Sequence, residues 1–135
     1  YVAGLCGLGY GLRQIIETQA ENGVSVSTIS VSGGAGTHPL TRQILADATG
    51  VPVEVTACSE PVLLGAAMLA AVAAKLYPDL QAAMPAMSTV AGRSEPVRDA
   101  ARALHEARYQ AFLRIQTLAR EVRKDIEPLF PAASG

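Results

Sequence analysis

Residues 27–32 read STISVS, residues 33–36 read GGAG, and Pro39 follows three positions later. No other stretch constrains the fold as much. A short β-branched run bounded by glycines predicts a strand. Glycines permit positive φ and close backbone approach, so GGAG predicts a tight loop. Pro39 suits the first turn of a helix, with Thr37 or His38 as its cap. That helix is expected to reach about Thr49 and to stop at Gly50. Residues 51–56, VPVEVT, predict a second short strand, with Pro52 at its start or on a sheet edge. A helix between two strands places the chain in the α/β class.

The remaining sequence is mostly helical. Leu5, Leu8, Leu12, Ile15 and Ile16 recur at helical spacing within residues 2–20. Gly4, Gly7, Gly9 and Gly11 interrupt them, each costing up to about 1 kcal/mol relative to Ala. Such a helix needs tertiary contacts, and its glycines would let a neighbour come close. Glu21-Asn22-Gly23 predicts its end. Ser59-Glu60-Pro61 opens another helix, with Glu60 as cap, running to about Leu76 and closed by Pro78. A helical turn is expected around Asp79–Met84. Residues 85–97, with two prolines and a glycine, predict a loop. A long helix over about Arg98–Ile126 carries Leu104, Ala111, Ile115, Leu118 and Val122 on one face. The expected organisation is one unit over 1–126 and a frayed tail over 127–135. Two strands make a poor sheet, so either further strands come from upstream or the pair forms a ribbon edge. The chain opens at Tyr1, within an apolar pattern and without a cap, and is expected to be a fragment.

Composition narrows the function classes. Half the residues are hydrophobic and 17% are charged, which excludes a disordered chain. Eleven basic against twelve acidic residues leave a net charge of −1, which argues against a nucleic-acid surface and a polybasic membrane anchor. The only mildly basic part is residues 93–135, where arginines alternate with acids as on a solvated face. No apolar run reaches the roughly 18 residues of a membrane span. Twenty-four alanines, six aromatics and no Trp point to close-packed helices. Cys6 and Cys58 are too few for a disulfide scaffold or a Cys/His metal cluster, and predict two reduced thiols in a cytoplasmic protein.

The strand, GGAG and helix together form the main chemical signal. Gly33, Gly34 and Ala35 could admit an anion to backbone N–H groups, and the helix that follows adds the positive end of its dipole. This suits a nucleotide phosphate; a plain glycine turn is the other reading. His38 is either a cap or a ligand contact. GLGYG at 7–11 looks like part of a dinucleotide fingerprint, but no strand precedes it, so packing glycines are preferred to a Rossmann oxidoreductase. Ser32 has no His/Asp partner. His105 is read as a surface or interface residue. Asp47 and Glu60 have no second carboxylate at acid–base spacing.

SVSGGAGTHPLTRQILADATGVPVEV (30–55), followed by EPVLLGAAMLAAVA (60–73), resembles the C-terminal part of the FGGY family of carbohydrate kinases. GLGYGLRQIIE (7–17) is similar to the helix before the family's glycine strip. LHEARYQAFLRIQ (104–116) resembles the end of pentulose kinases of the ribulokinase type. The resemblance implies a helix-rich part of an actin-like (ribonuclease-H-like) ATPase domain with few strands. It implies transfer of the γ-phosphoryl of ATP, with Mg²⁺, to a pentulose or polyol bound with a missing N-terminal domain. Gly33, Gly34, Ala35 and His38 would form the adenosine wall, with Gly34 facing the α-phosphate and His38 where relatives place Asn. Gly65-Ala66-Ala67 would pack close by. The catalytic residues and the other phosphate loop would lie upstream, so the fragment alone is expected to be inactive. A homodimer is compatible with this reading. A non-enzymatic actin-like nucleotide-binding or scaffold module is the alternative.

Overall fold

The computed structural model describes residues 1–33, 36, 38–98 and 100–126. Gly34, Ala35, Thr37, Asp99 and the expected tail at 127–135 lie outside the described residues. The elements in order are α1 (Val2–Glu21), β1 (Ile29–Val31), α2 (Pro39–Thr49), β2 (Val53–Thr56), α3 (Pro61–Ala73), α4 (Leu80–Met87), β3 (Val90–Ser94) and α5 (Ala100–Ile126). The chain divides into two compact units, one over Tyr1–Val97 and one beginning at Arg98.

The first unit is built on a three-stranded sheet of order β1-β2-β3. β1 runs parallel to β2 with Ile29 opposite Val53, and α2 makes the crossover between them. β3 runs antiparallel to β2, with Val53 opposite Ser94 and an irregularity at Val55/Thr56. On the exposed sheet surface Arg93 pairs with Glu54, its cross-strand neighbour, and with Glu95. Its hydrogen bonds to Glu95 first, then to Glu54, hold the Arg93 guanidinium above its ordinary pKa.

β3 corrects the expectation of a loop over 85–97. Asp79 caps α4 by accepting a hydrogen bond from Ala82 N at 2.8 Å. The helix continues through Pro85, close to its end, where one missing N–H does not break the turn. Ser88 N and Oγ both donate to the Met84 carbonyl and close it. Only two residues then precede the strand.

Local signals explain the other elements. α2 has His38 at its N-cap, Pro39 in its first turn, and Gly50 at φ +73° as its left-handed stop. α3 also starts on a proline, but Glu60 at its N-cap makes no side-chain capping bond. It ends with Lys75 at φ +60°, where glycine is usual, while Leu76 N reaches back to Ala71 O. α3 is apolar nearly all round, with Met68 and Ala71 buried and Val62, Leu63 and Leu69 exposed. The core of this unit is made largely of small side chains, with Ala46, Ala48 and Ala83 at 1% exposure or less beside fully buried Val53. Complete burial of a valine contributes about 1.5–3 kcal/mol.

The second unit, among the described residues, is α5 alone. Gln110 donates to Glu106 one turn away, and Tyr109 stacks on Phe112 with ring centroids 6.4 Å apart. Arg123 and Lys124 in its last turn complement the helix dipole.

α1 is helical throughout GLGYG, which removes the dinucleotide fingerprint. Gly9 lies on its buried side, and a Cβ added there would sit 2.6 Å from the Ala48 Cβ of α2. Gly7 has nothing within 4 Å of its Cβ position. Gly9→Ala is therefore expected to destabilise the protein by about 1–3 kcal/mol despite the better helix former. Gly7→Ala is expected to stabilise it by about 0.5–1 kcal/mol. Urea midpoints at unchanged slope check the pair, and equal shifts would mean that α1 and α2 are not in close contact at Gly9.

Candidate functional site

Parallel pairing of β1 and β2 brings their carboxyl ends side by side. Ligands in open α/β sheets bind in the crevice beyond such ends. There the chain forms an open cavity of about 270 Å³, lined by Ser32 and Gly33 after β1 and by Val55, Thr56, Ala57, Cys58 and Ser59 at and after the end of β2. Gly33 has φ +79°, and among the described residues beyond its chain neighbours no atom lies within 4 Å of where its Cβ would be. Gly33 itself is therefore uncrowded on its Cβ side, where a bulky anion could approach its backbone.

The inner side of the turn is closed. Gly36 N donates to the Gly33 carbonyl at 3.0 Å. Gly36 is buried, and a Cβ there would come within 2.9 Å of Val31 Cγ1 and 3.0 Å of the Val31 carbonyl oxygen. Only glycine can lie this close on the end of β1. From α2, Arg42 Nη1 donates to the Gly36 carbonyl at 2.6 Å.

The candidate residues separate as follows. Gly33 lines the cavity, while Gly34 and Ala35 lie outside the described residues. His38 is exposed and is not part of the lining. Its Nδ1 accepts a hydrogen bond from Leu40 N at 3.2 Å, so the ring caps α2 and keeps its proton on Nε2. Gly65, Ala66 and Ala67 of α3 do not line the cavity either, and Gly65 has nothing within 4 Å of its Cβ position. Ser32 lies in the lining, where it has the character of a polar wall.

Asp47 acquires a structural role. Its Oδ1 accepts from Gln43 Nε2 at 2.8 Å and from Val97 N at 2.9 Å, and Gln43 Nε2 also donates to the Glu95 carbonyl at 2.9 Å. The Gln43/Asp47 pair, one helical turn apart, thus latches the chain leaving β3 onto α2. Sequence reasoning missed the 55–59 side of the cavity and Arg42. Parallel pairing of the two strands is the signal that would have placed residues 57–59 beside the glycine turn.

Among the described residues no group of three His, Cys, Asp or Glu side chains could hold a metal ion. Both cysteines are free, Cys6 buried and Cys58 half-buried in the cavity wall.

The profile of the "FGGY family of carbohydrate kinases, C-terminal domain" matches residues 1–74, more than half of the sequence. The chain belongs to the FGGY family of carbohydrate kinases. An "FGGY carbohydrate kinase domain-containing protein" of Xenopus laevis is 35% identical over 121 residues, covering 90% of this chain and 22% of the relative. A ribulokinase of Mycolicibacterium smegmatis is 40% identical over 87 residues, 64% of this chain and 16% of that enzyme. In fold, gluconate kinase from Lactobacillus acidophilus matches 90% of this chain and 23% of its own with a TM-score of 0.63, at 21% identity. The architecture is part of the actin-like ATPase fold of the FGGY sugar kinases. The chain spans about a fifth of the length of the FGGY relatives that it matches over most of its residues.

The cap geometry at His38 has a direct test. His38→Ala removes the acceptor for Leu40 N and is expected to lower stability by about 1 kcal/mol, whereas His38→Asn, a strong capping residue, retains it. Thermal melting of the three proteins checks this, and an unchanged Tm in His38→Ala would show that the contact carries no stability.

Proposed function

We propose that this chain supplies one wall of the nucleotide site of an ATP-dependent kinase that phosphorylates a pentulose of the ribulose type or a related polyol. The observation that carries the proposal is the conformation and place of Gly33. In a chain of a carbohydrate kinase family, Gly33 lies at positive φ beside a cavity at the carboxyl ends of two parallel strands. Backbone N–H groups there would meet a phosphate of ADP or ATP, with Gly34 and Ala35 continuing the contact as the family resemblance implies. His38, with Nδ1 used by the cap, would offer Nε2–H to the base.

Phosphoryl transfer depends on positioning and on electrostatic stabilisation of the γ-phosphoryl. The residues described here account for the first at one end of the nucleotide. We assign the sugar contacts, the catalytic base and the second phosphate loop to the N-terminal domain of a longer protein. Mg²⁺ would come with the nucleotide, and no residue of this chain is assigned to it. The pentulose preference is supported by the ribulokinase relative and by residues 104–116. Two unpaired thiols support a cytoplasmic setting.

Gly33→Asp and Gly33→Asn test the site in the full-length kinase. Both residues tolerate positive φ and have nearly the same shape, so their difference reports charge. Gly33→Asp is expected to raise the KM for ATP about tenfold over Gly33→Asn, the effect of roughly 1.4 kcal/mol of like-charge repulsion, with sugar KM moving less. Equal ATP KM values in the two variants would reduce the turn to a structural feature. A panel of D-ribulose, L-ribulose, xylulose, ribitol, glycerol and gluconate is expected to give the highest kcat/KM on a pentulose, and a preference for glycerol or gluconate would overturn that part.

The 135-residue chain alone is expected to show no turnover of ATP with any of these sugars. Measurable product in a coupled assay would place a catalytic base within it.

A further inference from the structure

We propose that Arg42 is a positioning residue for the nucleotide, fixing Gly36 and through it the Gly33 carbonyl while remaining outside the contact itself. The inference rests on the reading of Gly33 as the nucleotide's turn. Arg42 is the fourth residue of α2. Helical side chains lean toward the N-terminus, so a long side chain here sweeps back over the start of the helix and reaches the preceding loop. The guanidinium does this: Nη1 donates to the Gly36 carbonyl at 2.6 Å in a part-buried setting. A cation near a helix N-terminus opposes the helix dipole, so the position carries an electrostatic cost that the charge-assisted bond offsets.

The rest of the fold makes room for this side chain. Gly92 of β3, opposite Val55 of β2, has no side chain where the guanidinium passes, and a Cβ there would lie 3.2 Å from Arg42 Nη2. Gly36 is thus held on two sides, by the end of β1 at Val31 and by Arg42. Its N–H in turn holds the Gly33 carbonyl. The Gly36 carbonyl held by Arg42 and the Gly36 N–H that holds Gly33 lie on either side of one Cα, so losing the Arg42 bond would free the Gly36 backbone and loosen its hold on the Gly33 carbonyl. Two hydrogen bonds in series thus link Arg42 to the Gly33 carbonyl beside the cavity.

The test uses the full-length kinase with Arg42→Met, Arg42→Lys, Gly92→Val and the Gly33→Asp/Asn pair. Arg42→Met keeps the apolar stem and removes the donor. It is expected to raise the KM for ATP about five- to tenfold, with kcat and sugar KM within about twofold of the parent. Arg42→Lys retains one donor and is expected to recover most of the ATP KM. If Arg42→Met does not fold, Gly92→Val displaces the guanidinium with Arg42 present and is expected to raise the ATP KM alone. Unchanged ATP KM in folded Arg42→Met or Gly92→Val, with Gly33→Asp still impaired, would overturn the role of Arg42 and leave the nucleotide site standing. No difference between Gly33→Asp and Gly33→Asn would remove the site and this proposal together. A lower Tm with equal rises in both substrate KM values, not recovered by Lys, would make Arg42 a stabilising residue only.

Discussion

Helix α2 holds its surroundings through hydrogen bonds from its polar side chains to other segments' backbones. Arg42 reaches the Gly36 carbonyl, Gln43 the Glu95 carbonyl, and Asp47 the Val97 amide. Thr49 closes the helix by donating to the Leu45 carbonyl and accepting from Val51 N. The strands around α2 have only three, four and five residues, and so small a sheet is marginal by its ladder bonds alone. Each bond from α2 adds about 1 kcal/mol net, and more where a charge takes part. Their larger effect is geometric. They tie Gly36, after β1, and the exit from β3 to the same helix.

Glycine serves two opposite purposes in this fold, and their separation explains the architecture of the site. Gly9 and Gly36 are needed because something lies too close for a Cβ, Ala48 in one case and the end of β1 in the other. Gly33 is needed for its positive φ and has open space around it. In sequence these glycines look alike. Gly33 and Gly36 are three residues apart, yet one belongs to the cavity and the other to the packing beneath it.

What could be read in advance follows the range of the interactions concerned. Caps, prolines and left-handed stops act within a few residues, and they placed α2, β2 and the start of α3 from local patterns such as His38-Pro39 and Gly50. β3 was not legible. VAGRS contains one β-branched residue and a glycine between prolines at 85 and 96, and its local preference is for a loop. It becomes a strand because β2 offers a partner some 40 residues earlier, where Glu54 meets Arg93, and because Arg42 occupies the space above Gly92. Asp47 was obscure for the same reason, its decisive partner being 50 residues away at Val97. At the cavity, Gly33 stood out as a glycine, but residues 57–59 carry no motif and owe their place to strand pairing alone.

An anion loop functions when it need not be ordered by its ligand. Fixing the backbone of one residue costs about 1–2 kcal/mol, and a loop that must be ordered on binding subtracts that from affinity for each residue involved. Here the inner end of the turn is already fixed against Val31 and Arg42, while the outer end at Gly33 keeps its open side. On the proposed reading, Gly36 would be fixed at folding, by contacts that a nucleotide need not touch. Affinity at the proposed site would then depend on α2 and β3 as well as on Gly33, which lines the cavity. A residue such as Gly92, on the far strand of the sheet, would act on the proposed site only by leaving space for the Arg42 side chain.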